Sequence, residues 1–235
     1  MSHPFHRCCR SLQRQVLSCL MVLACAFALP WAAPGAIAQG LTLDAPGPEL
    51  RDAVRRYEAG DRAGARRAFE RLARSGDPAA HYNLGVMHLL GELPGAKVAE
   101  ARRHFLVAAT SGFVTAQVAL AQLDETGAGG PVDLVSSQRW YERAAEAGSV
   151  EGQMAAGTNH YLGRGTPRNP AAAARWYERA ALAGDVGAQY LLGSMYETGD
   201  GVAADRSQAR RWYSLAALNG DVVAPFKLKA LEAAQ

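Results

Sequence analysis

Cysteine is missing from most of the sequence, and aromatic residues are scarce. The four cysteines of the 235-residue chain all lie near its start, at Cys8, Cys9, Cys19 and Cys25. The remainder contains no disulfide, so packing alone must stabilise it. Aromatic residues make up 8% of the chain. Together with the internal repetition described below, this argues against a compact enzyme domain.

An excess of positive charge is also missing. Lys and Arg number 25 against 22 Asp and Glu, but three arginines and no acidic residue precede residue 39. The rest of the chain therefore carries 22 residues of each sign. This balance argues against a nucleic-acid partner, because nucleic-acid-binding proteins gain affinity by neutralising phosphates.

Catalytic and cofactor motifs are absent as well. The sequence has no Ser-x-x-Lys or His-Glu-x-x-His motif, and no cysteine nucleophile after residue 38. Gly163-x-Gly165 and Gly199-x-Gly201 lack the third glycine of a dinucleotide-binding loop, and we interpret them as turns. We predict no catalytic residue, no cofactor and no metal site.

The first 38 residues have the pattern of a secretory signal peptide. Basic residues precede an uncharged apolar stretch over residues 16–29, and Ala36-Ile37-Ala38 precedes Gln39. A basic region, an apolar region and an Ala-x-Ala site in this order are typical of a signal peptide. We expect cleavage between Ala38 and Gln39 and a periplasmic or secreted product.

Two alternatives for this segment involve the membrane. The apolar stretch could be an anchor, but Pro30 and Pro34 follow it closely, and a spanning helix needs roughly 20 apolar residues. Leu23-Ala24-Cys25 resembles part of a lipobox and would give a lipoprotein acylated at Cys25. Residues 26–38, which would then link the acylated cysteine to the repeats, are still apolar, and this argues against a lipoprotein. Residues 39–48 are predicted to be a linker.

A repeat of 36 residues fills the rest of the chain. Glycine recurs with this period at Gly76, Gly112, Gly148, Gly184 and Gly220. Self-similarity at such a period is the signature of a solenoid. Its predicted parts are a short first repeat (49–76), four full repeats (77–112, 113–148, 149–184 and 185–220) and a C-terminal capping helix (221–235).

Each repeat is predicted to contain two antiparallel helices. Ala101, Phe105 and Ala108 share one face of a second helix. Asp or Ser follows four of the five repeating glycines and suits a helix N-cap, at Asp77, Ser149, Asp185 and Asp221. Small residues in the first helices allow close approach of a neighbouring helix, at Gly85, Ala121, Gly157 and Gly193.

The last full repeat carries a family resemblance. Its first helix contains Ala188-Gln189-Tyr190-Leu191-Leu192-Gly193 with Tyr196, and later positions include Gly199, Gly201-Val202, Asp205, Ala209, Trp212-Tyr213, Ala216-Ala217 and Gly220. These residues resemble the Sel-one-like repeat family, a branch of the tetratricopeptide repeats. Residues 77–112 depart from the pattern and have no Trp before Phe105. The resemblance implies an all-α, right-handed superhelical solenoid whose first helices line a concave face.

Three sets of residues invite a ligand-binding interpretation. His88, Asp124, His160 and Tyr196 share one column, but repeats stack roughly 10 Å apart, too far for ligands about 2 Å from one metal ion. We interpret this column, and that of Trp140, Trp176 and Trp212, as packing. The fourth unit has Asn159 in an apolar column, with Gly152 and Gly157 nearby; it is a soft joint, a ligand site or simple sequence drift.

The resemblance to tetratricopeptide repeats places a partner on the concave face. We predict a regulatory adaptor of the bacterial cell envelope that holds a protein or peptide. On this interpretation, changing Tyr82, Met154 and Tyr190 to Glu abolishes binding without loss of helix. The predicted partner-binding residues are Tyr82, Val86, Val118, Gln122, Met154, Thr158, Tyr161, Tyr190 and Ser194.

Two alternative functions belong to other classes. One is an envelope hydrolase acting on cell-wall or lactam substrates, although no group of residues in the sequence supports it. The other is a self-associating structural protein. Neither the oligomeric state nor the partner's identity follows from the sequence.

Overall fold

A computed structural model describes residues 47–233. These residues form eleven helices and no strand, as the repeat pattern predicts. The predicted signal peptide, its cleavage site and most of the predicted linker lie outside them. The helices are α1 (Pro48–Glu58), α2 (Arg62–Arg74), α3 (Pro78–Leu89), α4 (Val98–Thr110), α5 (Val114–Thr126), α6 (Leu134–Glu146), α7 (Val150–Leu162), α8 (Pro170–Leu182), α9 (Val186–Thr198), α10 (Arg206–Leu218) and α11 (Ala224–Ala233).

The helices pack in the order in which they follow one another. The extensive contacts join helices that are adjacent in the chain, which is the arrangement of a solenoid. Four pairs, from α3/α4 to α9/α10, form the full repeats, and α1/α2 forms a first unit with a shorter connection. None of the described helices combines the length and the apolar character needed to cross a membrane.

The helix ends follow the predicted caps. The side chains of Asp77, Ser149 and Asp185 accept hydrogen bonds from backbone N–H groups three residues later, at 3.0, 3.1 and 2.7 Å. The glycines that end the second helices have φ between 84° and 96°. Only glycine adopts this left-handed conformation without strain, which explains why it recurs there.

A glycine in the first helix of a repeat lies directly against the aromatic ring of the second helix. A Cβ added to Gly85 would lie 2.6 Å from the ring of Phe105. The same atom on Gly193 would lie 2.9 Å from the ring of Tyr213. Since real Cβ atoms do not approach rings so closely, these contacts confirm the predicted close approach of the helices.

The irregular fourth unit keeps the regular helix length. Its first helix, α7, has 13 residues, as do α5 and α9. A Cβ on Gly152 would lie 2.7 Å from the Ala145 nitrogen, and one on Gly157 would lie 2.8 Å from the Tyr177 ring. Both glycines therefore serve packing. Asn159 is buried, so it presents no open ligand site.

Replacement of Gly193 tests this packing. We expect Gly193→Ala to lower the free energy of unfolding by about 1–3 kcal/mol, because the added methyl group overpacks the contact with Tyr213. Chemical denaturation of the wild type and the variant measures the difference.

Gly187 provides a control on the same helix. A Cβ there would meet only the Asp185 carboxylate at 3.3 Å and the Met154 methyl group at 3.7 Å. We expect Gly187→Ala to have the smaller effect. Equal losses in both variants would contradict a specific steric contact at Gly193.

Candidate functional site

The nine predicted partner-binding residues lie on α3, α5, α7 and α9, but they differ in exposure. Tyr82, Val86 and Val118 are buried, with 4%, 2% and 2% of their surfaces exposed. The structure thus differs from the expectation that all nine line an open surface. The other six are partly exposed, and we call them the open strip: Gln122, Met154, Thr158, Tyr161, Tyr190 and Ser194.

Phe113 explains why Tyr82 is buried. The ring of Tyr82 lies 5.3 Å from that of Phe113 and 5.5 Å from that of Phe105, centroid to centroid. Phe113 occupies the N-cap position of α5, which has no side-chain cap. The sequence could have indicated this contact, because Phe113 is the one residue of its column that is neither Asp nor Ser.

Tyrosines on the second helices contact residues of the open strip. The hydroxyl oxygens of Thr158 and Tyr177 are 3.1 Å apart. The ring centroids of Tyr190 and Tyr213 are 5.4 Å apart. Because Tyr177 and Tyr213 are themselves buried, they hold these parts of the strip in place.

Three carboxylates that the sequence analysis did not single out accept hydrogen bonds from Gln122 of the strip or from tyrosines on the second helices. The Gln122 amide donates to Glu151 at 2.8 Å. The hydroxyl of Tyr141 donates to Glu125 at 3.1 Å, and that of Tyr213 donates to Glu197 at 2.6 Å. Glu125 and Glu197 share a column with Tyr161 of the strip, a spacing that could have indicated their position.

The three carboxylates differ in charge compensation. Glu125 pairs with Arg164 at 2.6 Å, and Glu197 pairs with Lys227 at 3.0 Å. Within residues 47–233, Glu151 has no ion pair. Desolvation raises the pKa of Glu151, and the hydrogen bond from Gln122 opposes that shift. A positive group placed beside Glu151 would form an ion pair that no residue among 47–233 provides.

The column that contains Asp124 and His160 makes packing contacts between repeats. Asp124 on α5 is fully buried and forms an ion pair with Arg102 on α4. The Nε2 atom of His160 on α7 lies 2.8 Å from a carboxylate oxygen of Glu142 on α6. Each pair joins the first helix of one repeat to the second helix of the preceding repeat, as the packing interpretation predicts. Trp140 and Trp212 are likewise buried.

In the first full repeat, His104 contacts two other histidines. The Nδ1 atoms of His81 on α3 and His104 on α4 are 3.0 Å apart. The ring of His88 stacks on that of His104 at 5.6 Å and 22°. Burial, followed by the charges of His81 and His88, lowers the pKa of His104 to about 4. The His104 ring is therefore neutral near pH 7.

Comparison with protein families gives a match over most of the solenoid. The Sel1 repeat model matches residues 78–113, 114–149, 150–185 and 186–221, in agreement with the resemblance given by the sequence columns. Comparison with curated protein sequences gives no significant match.

Two solved structures are similar to the chain. A protective antigen of uropathogenic Escherichia coli strains with an SLR fold has 32% identity and a TM-score of 0.70, with 77% of this chain and 39% of that chain covered. A Sel1 repeat protein from Oxalobacter formigenes has 30% identity and a TM-score of 0.69, with 76% and 74% covered. The match thus spans well under half of the antigen.

The burial of Tyr82 predicts a difference between two Glu substitutions. We expect Tyr82→Glu to lower the free energy of unfolding by about 3 kcal/mol or more, because it removes a buried ring and buries a charge. Met154→Glu, at a partly exposed residue, should cost less than half as much. Thermal and denaturant unfolding measure both.

This difference corrects the design of the triple Glu variant. With Tyr82 among the changed residues, lost binding would not be separable from lost folding. Equal stability of Tyr82→Glu and the wild type would contradict the burial of Tyr82 beneath Phe113.

Proposed function

The chain belongs to the Sel1 repeat family, and from this premise we propose that it is an adaptor of the bacterial cell envelope that holds a protein partner on the open strip. Sel1 repeat proteins are generally scaffolds for protein interactions. The envelope location, the adaptor role and the use of this surface are the parts that we add.

The chemistry of the open strip is the observation that carries the proposal. Met154, Tyr161 and Tyr190 are partly exposed and contribute a thioether and two phenol rings, while Thr158 and Ser194 add small hydroxyl groups. Aromatic residues and Met are enriched at protein interfaces. Because these side chains lie on packed helices, a partner binds a surface that is largely ordered beforehand, which lowers the entropic cost of association.

The unpaired carboxylate indicates the charge of the partner. Glu151 lies beside Gln122 at one side of the strip and lacks a cationic partner within residues 47–233. A Lys or Arg side chain of the bound segment would supply one. The proposed partner segment therefore combines apolar residues with at least one basic residue.

The envelope location is supported by the sequence and by one relative. The basic start, the apolar stretch over residues 16–29 and Ala36-Ile37-Ala38 form a signal-peptide pattern. The E. coli relative is described as a protective antigen, and this description accords with an exported protein. Both support a periplasmic or secreted protein.

Capture of a partner from the envelope tests the adaptor proposal. The full chain is tagged at its C terminus and cross-linked in the organism that encodes it. The strip variant carries Met154→Glu and Tyr190→Glu. The control variant carries Leu182→Glu and Leu218→Glu, at residues 69% and 82% exposed on second helices, and so adds the same charge elsewhere.

We expect one envelope protein to be recovered by the wild type and the control variant and lost by the strip variant. Recovery by all three would contradict the use of the open strip. Recovery of only a second copy of the chain would favour self-association instead. If no protein is recovered and the purified chain turns over muropeptides or a chromogenic lactam, an envelope hydrolase would be favoured.

Processing of the N terminus tests the location. We expect the mature protein in the periplasmic or secreted fraction to begin at Gln39, measured by intact mass and N-terminal sequencing. A product that begins with an acylated Cys25 would identify a lipoprotein. A cytoplasmic protein that retains residues 1–38 would contradict the proposed location.

A further inference from the structure

The last described helix lacks the neighbour that every earlier first helix has. In the four full repeats, each first helix packs against the second helix that follows it. α11 follows α10 as a first helix would, and no further helix follows it within the described residues. One face of α11 is therefore in the position that a second helix covers in a complete repeat.

α9 shows which residues a second helix covers. The ring of Tyr190 lies 5.4 Å from that of Tyr213 on α10, and a Cβ on Gly193 would lie 2.9 Å from the same ring. The hydroxyl of Tyr213 also donates to Glu197. The covered residues of α9 are all buried or partly buried: Val186, Tyr190, Gly193, Ser194 and Glu197.

The corresponding residues of α11, 36 positions later, are all exposed. Phe226 corresponds to Tyr190 and is 75% exposed, and Val222 corresponds to Val186 and is 77% exposed. Their helical spacing places these residues on one stripe of α11 and the turn before it. We call this stripe the end face: Val222, Phe226, Lys229, Ala230 and Ala233.

The end face is complementary to itself in size. It has a large ring near the start of α11, at Phe226, and two small residues near the end, at Ala230 and Ala233. A twofold axis perpendicular to α11 would place the helices of two copies side by side and antiparallel. Each Phe226 would then pack against Ala230 and Ala233 of the other copy, in an isologous contact.

The charges of α11 favour the same arrangement. Lys229 has no ion pair among residues 47–233. Glu232 follows three residues later, is exposed and lies 3.7 Å from Arg210. An antiparallel pair brings Lys229 of each copy within reach of Glu232 of the other, whereas a parallel pair would bring like charges together.

The opposite end of the solenoid does not match the end face. α1 exposes Arg55, Arg56 and Glu58, and no large apolar residue of α1 is exposed. Stacking of α1 on the end face of another copy would bury these charges against Phe226, which costs free energy. Such a head-to-tail contact would also continue into open filaments, whereas a twofold contact closes at two copies.

We propose that the chain forms a twofold-symmetric dimer in which α11 of a second copy covers the end face. Leu218 lies outside this interface, because its counterpart Leu182 stays 69% exposed although α10 covers α9. α11 has ten residues, so the interface is small and the dimer is weak. We expect a dissociation constant in the micromolar range.

Sedimentation velocity over a wide range of concentrations tests the dimer. The chain is purified as its own organism processes it, without a C-terminal tag. We expect monomer at the lowest concentrations and dimer at the highest. Monomer at every concentration would overturn the proposal.

Substitutions on the end face test which surface is used. Phe226→Glu should raise the dissociation constant at least about tenfold, because it removes the central aromatic residue. Leu218→Glu adds the same charge at a residue 82% exposed and should leave the dimer unchanged. Circular dichroism and thermal unfolding verify that both variants fold. Equal dimerisation of the wild type and Phe226→Glu would overturn the proposal.

A charge exchange tests the antiparallel arrangement. Lys229→Glu and Glu232→Lys should each weaken the dimer severalfold, because each places like charges opposite one another. The double variant restores opposite charges and should recover the wild-type dissociation constant. Failure of the double variant to recover dimerisation would contradict this arrangement.

Cross-linking identifies what contacts Phe226. A photoreactive phenylalanine analogue replaces Phe226, and an isotopically labelled copy of the chain is mixed with an unlabelled one. We expect adducts that join α11 peptides of both isotopic forms. Adducts to α1 of another copy would indicate head-to-tail stacking, and adducts to a different protein alone would assign the end face to a partner. Either result would overturn the proposed dimer.

Discussion

The contact between a first-helix glycine and a second-helix aromatic ring is the constraint on which the rest of the structure depends. At Gly85, Gly157 and Gly193 the ring occupies the space that a Cβ would need. In these three of the four full repeats the ring fixes the separation of the two helices, while Ala121 takes the place of the glycine in the other full repeat. Because each repeat of a solenoid contacts only its neighbours, this local geometry, recurring along the chain, sets how the first helices follow one another.

Positions outside this contact differ between repeats, and these differences distinguish the surface of one repeat from that of another. The N-cap column has Phe113 in one repeat, which covers Tyr82 and closes the adjacent part of the surface. Later repeats keep the cap and leave Met154 and Tyr190 partly exposed. The Gln and Trp columns change to His81 and His104 in the repeat that departs most from the family pattern. The same helix pair therefore presents the open strip in some repeats and contacting histidines in another.

The sequence predicted the fold well because its determinants are local. The caps at Asp77 and Asp185 and the glycines of left-handed conformation each act within a few residues, and the 36-residue period repeats these signals along the chain. The surface was less predictable, because exposure depends on contacts between elements. Tyr82 is covered by a residue 31 positions away, and Glu151 reaches Gln122 of the preceding repeat. Residues 1–46 lie outside the described structure, so the signal-peptide prediction depends on sequence alone.

Site-specific photo-cross-linking tests the central claim, that a partner occupies the open strip. A photoreactive phenylalanine analogue replaces Met154 in one chain and Leu218 in another, and irradiation is performed in the organism that encodes the protein. The account predicts a discrete adduct of one partner from position 154, with cross-linked peptides that contain a basic residue, and no adduct from position 218. Adducts from position 218 alone, or the same adducts from both positions, would contradict it.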